Sequence, residues 1–181
     1  MADSIRIAGI MRESIVDGPG IRFAIFCQGC PHDCPGCHNP ETHDFAGGYD
    51  CSINKLLEEI DKDPMLAGVT FSGGEPMCQP VAFAALAKAV KERGLSITIY
   101  SGYTLEQLIS RVKGEGSGKD LSVEERKATL ELLQLADILI DGPYVASLRD
   151  LTLLVRGSSN QRVIDLNKTR ECGRITLWSQ E

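Results

Sequence analysis

The chain lacks a surplus of positive charge, is poor in aromatic rings and contains no long apolar run, and each shortage removes a class of function. Nineteen Lys and Arg against 25 Asp and Glu leave a formal net charge of −6, so no basic stripe is available to track a phosphate backbone. Aromatic residues make up 6% of the chain, too few for a platform on which single-stranded bases stack. Nucleic acid is therefore not expected as a direct ligand. No apolar run approaches the roughly 18 to 20 residues that cross a membrane. The opening MADSIRIAGIMRESIVDGPG carries an acid at position 3 and no signal-like apolar stretch. The expectation is a cytoplasmic protein with no membrane attachment, in a compartment where thiols stay reduced and clustered cysteines bind metal or do redox work. Repeats, low-complexity tracts and linkers are missing as well. Residues 1–181 thus read as a single domain, long enough to bury a core without disulfides.

What is present alternates between strand and helix signals. RFAIFC (22–27) is an apolar strand that runs straight into a cysteine-rich loop. SINKLLEEIDKD (52–63) carries Ile53, Leu56, Leu57 and Ile60 at the spacing of one helix face, with Pro64 beyond its end. GVTF (68–71) is a buried-strand pattern opening onto SGGEP, and PVAFAALAKAVKERG (80–94) has the Pro start and Gly stop of a helix. LSITIY (95–100) alternates as a strand. TLEQLISRVK (104–113) and the segment from Ser122 each begin with a capping-box pattern, Thr104 with Gln107 and Ser122 with Glu125. DILID (137–141) is a further strand, RVIDL (162–166) and RITLW (174–178) are weaker ones, and GEGSGKDLS (114–122) reads as a mobile loop. After Leu166 no other pattern is assignable. This succession predicts an α/β fold with a mostly parallel sheet. About four βα units fall short of an eightfold barrel of about 250 residues, so the expected form is a partial, open parallel βα barrel. In such sheets chemistry gathers at the carboxyl ends of the strands, which puts the cysteine loop and SGGEP at one pocket.

CQGCPHDCPGCHNP (27–40) holds four of the seven cysteines, spaced Cys27-x2-Cys30-x3-Cys34-x2-Cys37. Three readings stand side by side. Four thiolates could hold zinc, although structural zinc normally spans two separated knuckles. A ferredoxin-like cluster wants a different order and a remote fourth cysteine. The third reading takes Cys30, Cys34 and Cys37 as ligands to three irons of one [4Fe–4S] cluster, leaving the fourth iron open, as metal sites in enzymes generally keep a position open. Cys27, the last residue of an apolar run, then reads as a small core side chain.

The C-x3-C-x2-C spacing, with the ring-bearing His38 next, resembles the signature of the radical S-adenosylmethionine enzymes, and Gly73-Gly74-Glu75-Pro76 after a strand resembles their GGE motif. VDGPGIRF (16–23) is similar to the segment preceding the first strand of small activases of glycyl-radical enzymes, and CHN (37–39) is shared with pyruvate formate-lyase activases. YSGYT (100–104), DILIDGPYV (137–145) and RGSSNQRVIDL (156–166) resemble activases of the anaerobic ribonucleoside-triphosphate reductase. The resemblance runs in patches from Ile15 to Leu166.

It implies one [4Fe–4S] cluster on Cys30, Cys34 and Cys37 and S-adenosyl-L-methionine as cofactor. The unique iron would chelate its amino and carboxylate groups, and reductive cleavage would give a 5′-deoxyadenosyl radical that removes a hydrogen atom from a glycine Cα of the reductase. It further implies a one-electron donor such as flavodoxin or ferredoxin. No catalytic side chain is expected beyond the cluster and its cofactor. Gly73, Gly74 and Glu75 are expected at the methionine end of the cofactor, with glycines permitting close backbone approach and a carboxylate pairing with an ammonium. Gly36, Cys37 and His38 are expected beside the nucleoside. Asp141 is expected to reach the cofactor or a cation, or to serve as an acidic turn residue. His32 and His43 are expected to be exposed and incidental. Cys51, Cys78 and Cys172 share no ligand spacing, so no second cluster is expected. An open barrel mouth suits a protein substrate that supplies its own lid. Three other functions remain open, an activase of another glycyl-radical enzyme such as pyruvate formate-lyase, a radical S-adenosylmethionine enzyme acting on a small molecule such as a deazapurine precursor, and a non-enzymatic metal or electron-transfer module using all four loop cysteines.

Overall fold

The computed structural model describes residues 3–179. Among these, seven strands form one open sheet in the order β3-β1-β2-β4-β5-β6-β7. Its centre is parallel: β2 (Arg22–Cys27), β4 (Gly68–Gly73), β5 (Ser96–Ser101) and β6 (Ile138–Asp141). Both flanks are antiparallel, with β1 (Ser4–Ser14) lying between β2 and β3 (Tyr49–Ser52) and β7 (Arg162–Asp165) against β6. The predicted parallel core is present, and the antiparallel flanks are additions. β1 carries irregular register between Ile7 and Gly9 and between Met11 and Ser14, and such bulges break the period-2 pattern that a sequence reading needs.

The helices form where their caps and apolar faces demand. Ser52 accepts from the Lys55 amide at the start of α1 (Ile53–Ile60), and Pro80 opens α2 (Pro80–Glu92). Both predicted capping boxes are closed, at Thr104 before α3 (Leu105–Lys113) and at Ser122 before α4 (Val123–Leu135). Asp165 caps α5 (Leu166–Cys172), which the sequence did not reveal because only Leu166 of this helix is buried. RITLW contributes an isolated bridge from Leu177 to Ile164 rather than a strand. The Gly-rich 114–122 loop is held by a short turn at Gly116–Gly118, and the buried Arg111 donates to Ser117.

Alternation along the central strands separates two faces. Ile25, Phe71 and Ile99 point into the core with Phe83 and Leu86 of α2, and the Phe71 and Phe83 rings pack 4.8 Å apart. Burial of each such side chain stabilises by roughly 1.5–3 kcal/mol. Their neighbours Phe26, Ser72 and Tyr100 project to the opposite face, where a cavity opens. At the amino ends of the strands the fully buried Arg22 donates to Thr70, Thr98, Ser96 and the Val69 carbonyl, all uncharged acceptors. Burial lowers its pKa to about 10. The Asp17–Gly20 segment folds over it, with Thr70 donating to the Asp17 carbonyl at 2.7 Å. Asp17, Gly18 and Pro19, held over Arg22 in this way, also line that cavity.

Candidate functional site

Parallel register puts Cys27 opposite Gly73 and Ser101 opposite Asp141, so the loops leaving these strands meet at one end. There a cavity of about 580 Å³ is lined by Cys30, Cys34, Cys37 and His38 on one side and by Gly73 and Gly74 beside them. Six of the sequence-predicted residues are thereby brought together. Cys27 does not line the cavity and is completely buried, and burial pushes its thiol pKa well up. Cys27 thus stands apart from the three thiols that share the cavity.

The cysteine loop is shaped by its own backbone. The Gly29 amide donates to the Thr42 carbonyl at 2.8 Å, the Cys30 amide to His43 at 3.2 Å, and the Cys37 amide to Cys34 at 3.0 Å. The Asn39 amide donates to Cys37 Sγ at 3.4 Å. Burial raises the Cys30 thiol to about 11 and raises that of Cys34, with the backbone N–H groups of His32 and Tyr144 respectively opposing the rise. A thiol raised in this way would have to release its proton to bind a metal. Among the described residues, no three His, Cys, Asp or Glu side chains converge on one ion-sized point. A cubane does not require that, because each thiolate binds a different iron. Three free, soft ligands on one wall of a cavity fit a [4Fe–4S] cluster with an open position.

Gly73 and Gly74 are laid directly on the cysteine loop. The Gly74 amide donates to the Cys27 carbonyl and the Glu75 amide to the Gly29 carbonyl, both at 2.8 Å. A Cβ at Gly73 would stand 2.6 Å from the Cys27 nitrogen, and one at Gly74 2.4 Å from the Gly29 oxygen. Close approach is needed here, to neighbouring backbone as well as to any ligand. Glu75 has no exposed surface and does not line the cavity. Its carboxylate accepts from the Met77 amide at 3.0 Å, the Ser101 hydroxyl at 3.0 Å, the Gly102 amide at 2.9 Å and His32 Nε2 at 2.7 Å.

Asp141 also lies outside the lining. Its carboxylate accepts from the Leu105 amide at 2.7 Å and from Arg162 Nε at 2.9 Å, and it is 1% exposed. It anchors α3 to β7, while the adjacent Gly142 reaches the cavity. Gly36 packs near Tyr144 and Ala146 behind the cavity wall.

The far wall contains residues the sequence reading missed. The Tyr144 ring lies 4.8 Å from that of His38, tilted by 48°, and Gly157 sits against both. Gln161 ties this wall together: Oε1 accepts the Gly157 amide at 3.0 Å and the Ser158 amide at 3.2 Å, and Nε2 donates to the Gly142 carbonyl at 3.1 Å. Val155 adopts φ 55°, strained for a β-branched residue, and its carbonyl accepts from the Tyr100 hydroxyl at 2.6 Å. RGSSNQR thus has a physical purpose that its composition does not advertise. His32, expected to be incidental, has a side chain only 15% exposed.

A family model described as a 4Fe-4S single cluster domain matches residues 16–164. The anaerobic ribonucleoside-triphosphate reductase-activating protein of Escherichia coli K12 is 32% identical over 161 residues, covering 82% of this chain and 91% of that protein. The pyruvate formate-lyase-activating enzyme of Clostridium pasteurianum is 41% identical over 99 residues, covering 52% of this chain and 42% of that enzyme, so the match spans less than half its length. Among solved structures, QueE from Escherichia coli aligns with a TM-score of 0.44 at 21% identity, covering 56% of this chain and 53% of that one.

Proposed function

The chain belongs to the 4Fe-4S single cluster domain family, among the radical S-adenosylmethionine activating enzymes, and on that premise we propose that it generates the glycyl radical of an anaerobic ribonucleoside-triphosphate reductase. The observation that carries the reading is the shared cavity wall of Cys30, Cys34 and Cys37 with Gly73 and Gly74 bonded alongside. When bound, and given one electron by an external donor, the cluster and S-adenosylmethionine would supply the chemistry that removes a hydrogen atom from a glycine Cα, with methionine and 5′-deoxyadenosine as the by-products. The chain's own residues bind and orient. Cys30, Cys34 and Cys37 hold the cluster, Gly73 and Gly74 bring backbone to the methionine end, and His38 with Tyr144 flanks the nucleoside. Gly36 shapes the turn behind them. Glu75 and Asp141 act from behind the wall, holding the loops that form it.

The mouth favours a protein substrate. Ile15, Val16 and Leu154 line it and are 78%, 68% and 60% exposed, an apolar rim that a partner's glycine loop would cover while excluding water. The electron donor is proposed to be a flavodoxin or ferredoxin. A reducing cytoplasm is the proposed setting, in keeping with seven free cysteines and with no helix, among the described residues, long and apolar enough to cross a membrane.

The test is anaerobic reconstitution with iron and sulfide, then mixing with the reductase, S-adenosylmethionine and a one-electron reductant. A glycyl radical signal in electron paramagnetic resonance, with stoichiometric 5′-deoxyadenosine, is expected. A full cluster that cleaves no cofactor would overturn the reading, and turnover of a small molecule without the reductase would replace it.

A further inference from the structure

We infer that His32 is a positioning residue for the cluster loop, and that Glu75 serves this chain as the buried anchor on which His32 pulls. The inference rests on the reading of Cys30, Cys34 and Cys37 as cluster ligands. His32 lies between Cys30 and Cys34, on the longer of the two spans separating the three thiols. Among the described residues, and apart from the Tyr144 N–H that faces the Cys34 thiol, two ties through ionisable side chains join residues 31–36 to the rest of the chain. One is His32 Nε2 to Glu75 Oε2 at 2.7 Å. The other is Asp33 to His43 at 3.4 Å, from an Asp33 side chain that is 96% exposed. Solvent weakens the second tie, so the first sets where the span lies.

The slot for the His32 ring is built from elements distant in sequence. Tyr103 meets it edge-on at 4.4 Å and 72°, and Arg111 lies over the Tyr103 ring at 4.4 Å. A Cβ on Gly102 would come within 2.4 Å of the imidazole, so only glycine leaves the ring room to reach the carboxylate. Glu75 in turn cannot shift freely. It is wholly buried and holds donors from its own turn, from Ser101 and from the Gly102 amide. The chain of contacts runs from β5 through a fixed carboxylate to the middle of the span between two of the three ligands, Cys30 and Cys34. Ordering that loop before iron arrives removes conformational entropy that cluster binding would otherwise oppose.

The experiment uses the full chain, loaded anaerobically, and follows iron loss to a chelator, with circular dichroism melting of the unloaded protein alongside. For His32→Ala the unloaded protein is expected to melt as wild type does, while the loaded protein loses iron about tenfold faster, the scale on which groups behind metal ligands act. His32→Gln, whose amide reaches a similar depth, is expected to restore most of the retention. Gly102→Ala, which evicts the ring while keeping its chemistry, is expected to mimic His32→Ala and is read in its place if that chain misfolds. Wild-type retention in His32→Ala, or loss in His32→Gln as fast as in His32→Ala, would overturn the brace while leaving the cluster reading intact. A wild-type chain that takes up no cluster would overturn the cluster reading first.

Discussion

Cys27 and Gly73 face each other across the parallel pairing of β2 and β4, and one residue on, the Gly74 amide closes onto the Cys27 carbonyl at 2.8 Å. The cysteine loop and the Gly-Gly-Glu turn are therefore one backbone unit. A side chain at Gly74 meets the Gly29 oxygen at 2.4 Å, so Gly74→Ala should destabilise by about 1–3 kcal/mol, the usual scale of overpacking. Urea unfolding checks this, and iron content should fall in the same variant.

The four loop cysteines should separate in mutagenesis. Cys30→Ser, Cys34→Ser and Cys37→Ser are each expected to abolish a stable cluster, as judged by iron and sulfide content after reconstitution. Cys27→Ser should keep the cluster and instead lower stability by about 1–3 kcal/mol, because it buries a hydroxyl where a thiol was fully enclosed. Loss of the cluster in Cys27→Ser would count against its place in the core.

Gln161 joins Gly142 to Gly157 and so holds the wall facing the cysteines. Gln161→Ala is expected to weaken S-adenosylmethionine binding by about tenfold, the scale of one or two net hydrogen bonds, with cluster content unchanged. Calorimetric titration of loaded protein measures it. Equal affinity in the variant would show that the wall holds without the staple.

Asp137 gives a pH dependence of stability. Burial raises its pKa, but bonds from the Ile97 amide at 2.7 Å, from Asn167 and from Lys91 outweigh that, and the net effect is a carboxyl held below its usual 3.8. A group with a depressed folded pKa stabilises above its unfolded value and loses that contribution as pH falls through the folded one. Stability should therefore be independent of this group above about pH 4 and decline below it. Asp137→Asn should lower stability at neutral pH by about 1.5–3 kcal/mol, the scale of charged hydrogen bonds, and flatten the acid limb. Denaturant midpoints measured from neutral pH downward test both.

Patterns carried by neighbours along the chain were legible. Helix caps at Thr104 and Ser122, the apolar strands and the C-x3-C-x2-C spacing are all local, and each has a physical signature within a few residues. β1 was not legible because bulges disturb its alternation, nor β3, whose four residues are too few to show a period. The resemblance to the GGE motif puts Glu75 at a ligand's ammonium, and Asp141 is expected either at a ligand or as an acidic turn residue. Their carboxylates instead accept donors from Gly102, His32, Leu105 and Arg162, all supplied by other elements.

The order of residues was enough to establish three grouped thiols, a Gly-Gly-Glu turn after a strand and an α/β sheet with a parallel centre. Only the packed chain decided that His32 is tied to Glu75 and that Gln161 closes the far wall. The division follows from distance along the chain. Spacing encodes what a short backbone segment does by itself, whereas His32 and Glu75 stand 43 positions apart, and which buried acceptor meets which donor is settled when β2, β4 and β5 align their ends.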